Sequence, residues 1–406
     1  MRRCRRHVHH VVHMPPAPSP TASLSQLPPY VFAELDRLKA DARARGQAYL
    51  DLGIGSPDQP TPPAVVDAVQ RAIADTSRHG YPPFRGSPEL LAAAAGFMAE
   101  RFGVVIDAER QVVALSGSKE GIAQILAAYC GAGDVALVPD VYYPVYGRAP
   151  LLNGAEVHLL RAAAPDFLPS LDDVPASVLS RAKVLVVNYP NNPTGAVADR
   201  AFLDRAVAFA RDHDLLLVSD LAYSELTYDG FVAPSIFEID GAAAVAVEMH
   251  SCSKAFNMAG LRIGFATGRP DALDALLAYR SNVGYGTPWV AQAAGAHAFS
   301  HWRELSAPVT AEYKRRRDAV YGALAAAGWD AAPPKGAMYA WLPVPAGFDD
   351  WGWVRAALDE TGIVVTPGLA FGPGGQGFFR ISLVQPAHVL SDAVTRLAQL
   401  AEAPVS

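Results

Sequence analysis

Short, continuous apolar runs alternate with stretches of helical spacing in this sequence, and this alternation constrains the fold more than any other feature. The runs include "QVVAL", "DVALVP", "KVLVVN" and "LLLVSD", and they are bounded by polar or proline-containing turns. Helical patterns such as "KEGIAQILAAYC" and "DRAFLDRAVAFARDH" separate them. Strands that are apolar at every position need cover on both faces. The pattern therefore predicts a mostly parallel sheet flanked by helices.

The pattern changes after about residue 270, which predicts a second and smaller unit. Helical spacing dominates at first, and "AMYAWLPVP", "GIVVTPG" and "GFFRISL" then have the length of short strands. We expect a large domain over residues 51–290 and a small α+β domain over residues 291–406, completed by the N-terminal segment 30–50. Residues 1–29, which are basic and rich in proline, are predicted to form a disordered tail.

Composition excludes several classes of protein. With 406 residues, 51% of them hydrophobic and 18% charged, the chain has enough apolar material for a large core. A formal net charge of −6 without charged blocks in the body argues against nucleic acid or a membrane surface as partner. No run approaches the ~18 apolar residues of a spanning helix. Cys4, Cys130 and Cys252 lie far apart, which argues against a disulfide framework or a metal site and fits the cytoplasm.

Two motifs follow predicted strands with residues that suit a fixed ligand. "LSGSKEG" places Gly117, Ser118 and Lys119 where a strand turns into a helix. Free N–H groups and the helix dipole make such a turn an anion site, although glycine and serine also occur in turns without a ligand. "NYPNNPTG" presents Asn192 in a turn held by prolines, where an amide binds either a ligand or the turn's own backbone. Neither motif specifies a ligand by itself.

Three further segments contribute charged side chains. Asp220 ends an apolar run, and Tyr223 follows three residues later. A carboxylate at the end of a buried strand needs a cationic or N–H partner, unless it caps a helix. "SCSKAFNMAGLRIG" contains Lys254 with no acidic residue within five positions, followed by Arg262. If such a lysine is buried it tends to be neutral and nucleophilic; a surface lysine is the ordinary alternative. Arg380, among apolar residues in "GFFRISL", pairs either with an acidic side chain or with a ligand carboxylate.

These groups together describe one ligand. It has a phosphate for the glycine–serine turn and Arg262, and a basic nitrogen for Asp220. It also has a hydroxyl or phenolate for Tyr223 and Asn192, and an aldehyde for Lys254 beside a carboxylate for Arg380. Pyridoxal 5'-phosphate (PLP) that holds an amino acid has all of these groups. The sequence therefore predicts a PLP site.

The motifs "LGIG", "GYPPFRG", "SGSKEG", "YYPVYG", "NNPTG", "SDLAY", "SCSKAFNMAGLRIG" and "FRISL" carry a resemblance to a known family. From about Tyr30 to its C-terminus the sequence resembles the class I and II aminotransferases, PLP-dependent enzymes of fold type I. The resemblance implies an α/β fold, with a large domain built on a mostly parallel sheet and a smaller α+β domain. It also implies ping-pong transfer of an amino group between an L-amino acid and a 2-oxo acid, in a homodimer with shared active sites.

The same resemblance implies roles for the central residues. Lys254 is implied to be the Schiff-base lysine and the proton carrier. Asp220 is implied to pair with the ring nitrogen, and Asn192 and Tyr223 to hold the ring oxygen. Arg380 is implied to bind the substrate α-carboxylate, with Asn192 close to it.

Further positions are carried over in the same way. The residues implied to surround the phosphate are Gly117, Ser118, Lys119, Ser251, Ser253 and Arg262. Tyr143 is implied to stack on the ring, and Gly55 and Tyr30 to lie on the substrate side. Tyr81 matches a tyrosine that reaches the phosphate of the neighbouring subunit, which requires a dimer.

The substrate is the open question at this point. "LPPYVFAELDRLKADARARG" before "LDLGIGSPDQPTP" resembles the N-terminal region of LL-diaminopimelate aminotransferases. We therefore expect LL-diaminopimelate with 2-oxoglutarate, a step of lysine biosynthesis. The alternatives are a broad alanine, aspartate or aromatic aminotransferase, and a PLP-dependent C–S β-lyase. Pro288 and Trp289 depart from the polar residues of the better-known diaminopimelate enzymes, so the indole either reshapes the pocket or packs at a subunit interface.

Overall fold

A computed structural model of the chain describes residues 19–25 and 27–402. The strands are β1 (Leu50–Asp51), β2 (Val112–Leu115), β3 (Val135–Pro139), β4 (Glu156–Leu160), β5 (Ala182–Asn188), β6 (Leu216–Asp220), β7 (Ala246–Ser251), β8 (Gly264–Gly268), β9 (Tyr339–Pro343), β10 (Ile363–Val364), β11 (Thr366–Pro367) and β12 (Phe378–Ser382). The helices are α1 (Ala22–Ser25), α2 (Val31–Ala44), α3 (Pro63–Ala74), α4 (Pro88–Phe102), α5 (Ser118–Tyr129), α6 (Val145–Leu152), α7 (Ala176–Leu179), α8 (Arg200–Asp212), α9 (Cys252–Ala255), α10 (Pro270–Val283), α11 (Trp289–Ser300), α12 (Trp302–Ala326), α13 (Asp350–Thr361) and α14 (Ala387–Glu402).

A seven-stranded sheet forms the larger half of the structure, in the order β2-β8-β7-β6-β5-β3-β4. Strand β8 is antiparallel to both of its neighbours, and every other pairing in this sheet is parallel. Strands β2, β3, β6 and β8 are buried at every position, as cover on both faces requires. The predicted α/β architecture with a mostly parallel, helix-covered sheet is confirmed. The antiparallel β8 was not predicted, because "GFATG" has glycine at both ends and little strand propensity.

The carboxyl ends of the central strands meet at one edge of this sheet. The register places Asn188, the last residue of β5, beside Asp220, the last residue of β6. Strand β7 ends nearby at Ser251, and β2 ends at Leu115 shortly before α5 begins at Ser118. The polar residues that follow these strands are thereby brought to one place.

A smaller unit combines both ends of the described chain. Strands β11, β12 and β9 form an antiparallel sheet in that order. Strand β1 pairs in parallel with β10, with Leu50 opposite Ile363, so the segment before residue 52 joins the C-terminal part. Helices α12, α13 and α14 pack on this unit around the buried Trp353 and Phe379. The run "GIVVTPG", expected as one strand, is divided between two sheets as β10 and β11.

The division into domains stays a prediction. The expected boundary at residue 290 falls inside α11, whose buried face packs on α3 and α4, and we propose α12 as the element where the two units join. Residues 1–18 and residue 26 of the expected tail lie outside the described residues. In the rest of the expected tail, α1 forms one helical turn, and Arg148 in α6 donates to the carbonyls of Pro28 at 3.0 Å and Pro29 at 3.1 Å.

In the described ranges no helix is both long and apolar enough to cross a membrane.

Candidate active site

A cleft of about 370 Å³ opens at the carboxyl edge of the large sheet, facing the small unit. It is lined by most residues predicted for the site. They are Tyr30, Gly55, Ser118, Lys119, Tyr143, Asn192, Asp220, Tyr223, Ser251, Ser253, Lys254, Arg262 and Arg380. Of the predicted set, Gly117 and Tyr81 are not among the lining residues. The structure therefore brings residues that are far apart in the sequence into one pocket.

Lys254 lies in the one-turn helix α9, directly after β7. The Ser251 hydroxyl caps this turn by accepting from the Ser253 N–H at 3.2 Å. Lys254 Nζ donates to the Gly55 carbonyl at 2.5 Å, and no described carboxylate forms an ion pair with it. Burial lowers the pKa of Lys254, and the neighbouring positive charge of Arg380 lowers it further. An amine with a lowered pKa is neutral for a larger fraction of the time than the amine of an exposed lysine, and a neutral amine can act as a nucleophile or base.

Asp220 is a buried carboxylate without a cationic partner among the described residues. Its Oδ2 accepts from the Tyr146 hydroxyl at 2.6 Å, and its Oδ1 accepts from the Ala222 N–H at 3.2 Å. Burial raises the pKa of Asp220 to about 6, and the hydrogen bond from Tyr146 opposes that increase. A carboxylate in this state gains from a cation placed at its free side. A protonated ring nitrogen has that charge.

Two tyrosines of the cleft were missed from the sequence. Tyr339 in β9 shares a hydrogen bond of 2.9 Å with Tyr223, hydroxyl to hydroxyl. Tyr146, the partner of Asp220, follows Tyr143 by three residues, which places the two on one face of the chain where α6 begins. That spacing was a usable signal for Tyr146. Nothing in "GAMYAW" distinguished Tyr339 from an ordinary strand residue.

Arg380 in β12 is buried against aromatic rings. Its terminal nitrogens donate to Asn192 Oδ1 at 2.8 Å and to the Gly53 carbonyl at 2.6 Å. The guanidinium carbon lies 4.4 Å from the centre of the Tyr339 ring and 4.5 Å from that of Phe371. Its Nε, also buried, has no hydrogen-bond partner among the described residues. Because buried N–H groups are normally paired, Arg380 is open to an added acceptor such as a ligand carboxylate.

The turn between β2 and α5 faces the Arg262 guanidinium. Gly117 has φ +92°, and a Cβ at this position would collide with that guanidinium, so glycine is required there. Arg262 donates to the Ala259 carbonyl at 3.0 Å. Burial lowers the pKa of Lys119, and the like charges of Arg262 and Arg148 lower it further. Lys119 and Arg262 line the cleft beside the N-terminus of α5, and this arrangement suits an anion.

Tyr81 and Trp289 lie outside the cleft of their own chain. Tyr81 is 77% exposed and stacks on Tyr285, with ring centres 4.2 Å apart and planes 11° apart. Its predicted role toward a neighbouring subunit stays a prediction. Trp289 Nε1 donates to the Gly80 carbonyl at 3.1 Å, and Pro288 is the N-cap of α11. The indole therefore supports the loop that carries Tyr81 and does not narrow this chain's own cleft.

The fold and the cleft define an α/β enzyme with a partly buried lysine amine, a turn that suits an anion and an arginine open to a carboxylate. A family model described as aminotransferase class I and II matches residues 47–397, and the chain belongs to that family. The predictions of an aminotransferase and of fold type I are thereby confirmed. Aminotransferases of this family use PLP as their cofactor.

Individual relatives cover nearly the whole chain. An LL-diaminopimelate aminotransferase of Desulforudis audaxviator is 42% identical over 375 residues, which are 92% of this chain and 96% of that protein. The solved structure of apo-BacF from Bacillus subtilis has a TM-score of 0.90 and 34% sequence identity. The match covers 95% of this chain and 98% of the BacF chain. The structure of a probable N-succinyldiaminopimelate aminotransferase from Thermus thermophilus has a TM-score of 0.86 and 36% sequence identity. The match covers 91% of this chain and 100% of that protein's chain.

Proposed function

We propose that this aminotransferase uses PLP and transfers an amino group from LL-diaminopimelate to 2-oxoglutarate. The observation that carries the proposal is the Lys254 amine, which lies partly buried and without a carboxylate partner among the described residues, in the cleft that also contains Arg380. The substrate rests on the similarity to the LL-diaminopimelate aminotransferase of Desulforudis audaxviator, at 42% identity.

The residues present fit PLP in three respects. The turn at Gly117, which only glycine can occupy beside Arg262, suits the phosphate. Asp220 is a buried carboxylate in need of a cation, and the ring nitrogen of PLP is basic. The unpartnered Nε of Arg380 suits the carboxylate of an amino acid held by the cofactor. When bound, PLP supplies an electron sink that stabilises negative charge at the substrate's α-carbon.

Each side chain then has a distinct task. Lys254, with its lowered pKa, would act as the base that takes the proton from the substrate's α-carbon and then carries it. Arg380 orients the substrate through two parallel N–H···O bonds to its carboxylate. Asp220 would hold the ring nitrogen of a bound PLP as an ion pair, and Tyr146 fixes one of its carboxylate oxygens by donating to Oδ2 at 2.6 Å.

We also propose a homodimer in the cytoplasm. Tyr81 and Tyr285 are 77% and 57% exposed and form a stacked aromatic pair, which a second copy of the chain would cover. In that arrangement Tyr81 reaches the phosphate site of the second copy. Cys130 and Cys252 are buried free thiols, which supports a reducing compartment.

The test is a spectrum of the purified enzyme with its cofactor, recorded while amino donors are added one at a time. LL-diaminopimelate should move the visible absorption band of the bound cofactor into the near ultraviolet, and Lys254→Ala should lose both the original visible band and this response. A response to alanine or aspartate but not to LL-diaminopimelate would replace the substrate with the broad alternative. Pyruvate and ammonia formed from cystathionine without an oxo acid would indicate the β-lyase. Full activity of Lys254→Ala would reject the proposal altogether.

A further inference from the structure

Arg316 in α12 connects three segments of the chain. Only 1% of its side chain is exposed. Its Nε donates to Glu312 of the same helix at 2.7 Å. Its two terminal nitrogens donate to the two carboxylate oxygens of Asp58 at 2.6 and 2.9 Å, and one of them also donates to the Leu383 carbonyl at 2.9 Å. This is a partly buried, bidentate ion pair, because the Asp58 side chain is 24% exposed, and such pairs are among the most directional contacts that proteins form.

Both segments bound by this guanidinium carry groups of the cleft. Asp58 closes a loop in which the Gly53 carbonyl accepts from Arg380 and the Gly55 carbonyl accepts from the lysine amine. Leu383 directly follows β12, the strand that contains Arg380. A single side chain therefore holds the loop with the two acceptor carbonyls against the strand with the carboxylate-binding arginine.

The loop depends on such anchors because residues 52–58 have no regular secondary structure. At its start Asp51 is paired with Lys39 at 3.0 Å, and Asp51 Oδ1 accepts from the Gly53 N–H at 2.9 Å. At its end the only ion pair among the described residues is that of Asp58 with Arg316. Loss of that end anchor frees the loop on the side that faces the cleft.

We propose that Asp58 and Arg316 are positioning residues for the substrate carboxylate, an inference that rests on the function proposed above. Neither residue lines the cleft. The Gly53 carbonyl accepts from the Thr366 hydroxyl at 2.9 Å as well as from Arg380, and the ion pair holds the other end of the same loop, so it helps to fix the orientation of the Arg380 guanidinium. Loosening the pair lowers affinity for the carboxylate and leaves the proton transfer at Lys254 largely intact.

The next residue in α12 provides a matched control. The Arg317 side chain is 3% exposed, and its guanidinium donates to both carboxylate oxygens of Asp229 at 2.5 and 3.1 Å and to the Pro334 carbonyl at 3.1 Å. Neither Asp229 nor Pro334 lines the cleft. Asp229→Asn therefore disrupts an ion pair of the same kind without loosening the loop.

The experiment compares Asp58→Asn with Asp229→Asn, both as enzymes with bound cofactor. Calorimetric titration with glutarate, an unreactive dicarboxylate, measures affinity, and steady-state kinetics give KM and kcat for the amino donor. We expect both variants to melt earlier, and only Asp58→Asn to bind glutarate about tenfold more weakly and to raise KM about tenfold, with kcat within about threefold of wild type. Arg316→Lys and Arg317→Lys form a second pair should Asp58→Asn not fold.

Wild-type glutarate affinity in a folded Asp58→Asn or Arg316→Lys enzyme would overturn the inference. An equal loss of glutarate affinity in the test variant and in its control would overturn the inference too, because the loss would then reflect general destabilisation. Failure of the proposed function is distinguishable: if no amino donor alters the wild-type spectrum while the glutarate difference persists, transamination is rejected and the positioning role stands.

Discussion

The cofactor-free protein should be destabilised by its own Asp220 as pH rises. Burial raises the pKa of Asp220 from 3.8 to about 6 in the folded state. Because the folded state holds the proton more tightly than the unfolded state, this group favours folding most below about pH 4, and the advantage is lost as pH rises to about 6. At about 1.4 kcal/mol for each tenfold change in the ionisation constant, the full difference is about 3 kcal/mol. Between pH 4.5 and 7.5, about 2 kcal/mol of it should be lost.

Asp220→Asn removes this titration. Urea unfolding of both proteins without cofactor, at several pH values from 4.5 to 7.5, should show the free energy of unfolding of wild type fall by about 2 kcal/mol relative to the variant. Asp204→Asn, a change at an exposed position that keeps Asp220, serves as the control and should show the same fall as wild type. Saturating PLP should restore wild-type stability above pH 6, since its ring nitrogen supplies the missing cation. A difference between wild type and Asp220→Asn that stays constant with pH would refute the reasoning about this carboxylate.

Three further changes test individual contacts. Arg380→Lys should raise KM for the amino donor at least about tenfold in steady-state kinetics, because lysine cannot make the bidentate contact; an unchanged KM would remove the carboxylate role. Tyr146→Phe removes the hydrogen bond that holds the pKa of Asp220 down, so the loss of stability described above should extend to higher pH, and an identical pH profile would contradict this. Gly117→Ala should weaken PLP binding about tenfold in an absorbance titration, because the new Cβ displaces Arg262; wild-type affinity would argue against a phosphate at this turn.

The general fold and most of the cleft could be predicted because their signals are local. Each apolar run is a strand, and residues that follow parallel strands meet at one edge whatever the details of packing. Asp220 and Lys254 could therefore be assigned to one site from short sequence motifs. The roles of these residues remain predictions that the experiments above address.

Other features depend on contacts between residues that are far apart in the sequence, which a short motif does not reveal. Tyr339 meets Tyr223 across a sequence separation of 116 residues. The acceptors for Arg380 and Lys254 include the carbonyls of Gly53 and Gly55, and a backbone carbonyl is the same group in every residue. Such contacts follow from tertiary packing, which the periodicity of one segment does not specify.

The pairing of β1 with β10 also has a consequence for biosynthesis. Leu50 finds its strand partner only when Ile363 has been made, and Gly53 accepts from an arginine 327 positions later. On the ribosome the large sheet can assemble while the segment before residue 52 still lacks its partner. The cleft is then complete only after β12 has been made, and a chain released before β12 would have a folded sheet but would lack Arg380. Nascent chains halted before β10 and after β12 should therefore differ sharply in protease resistance near residue 50.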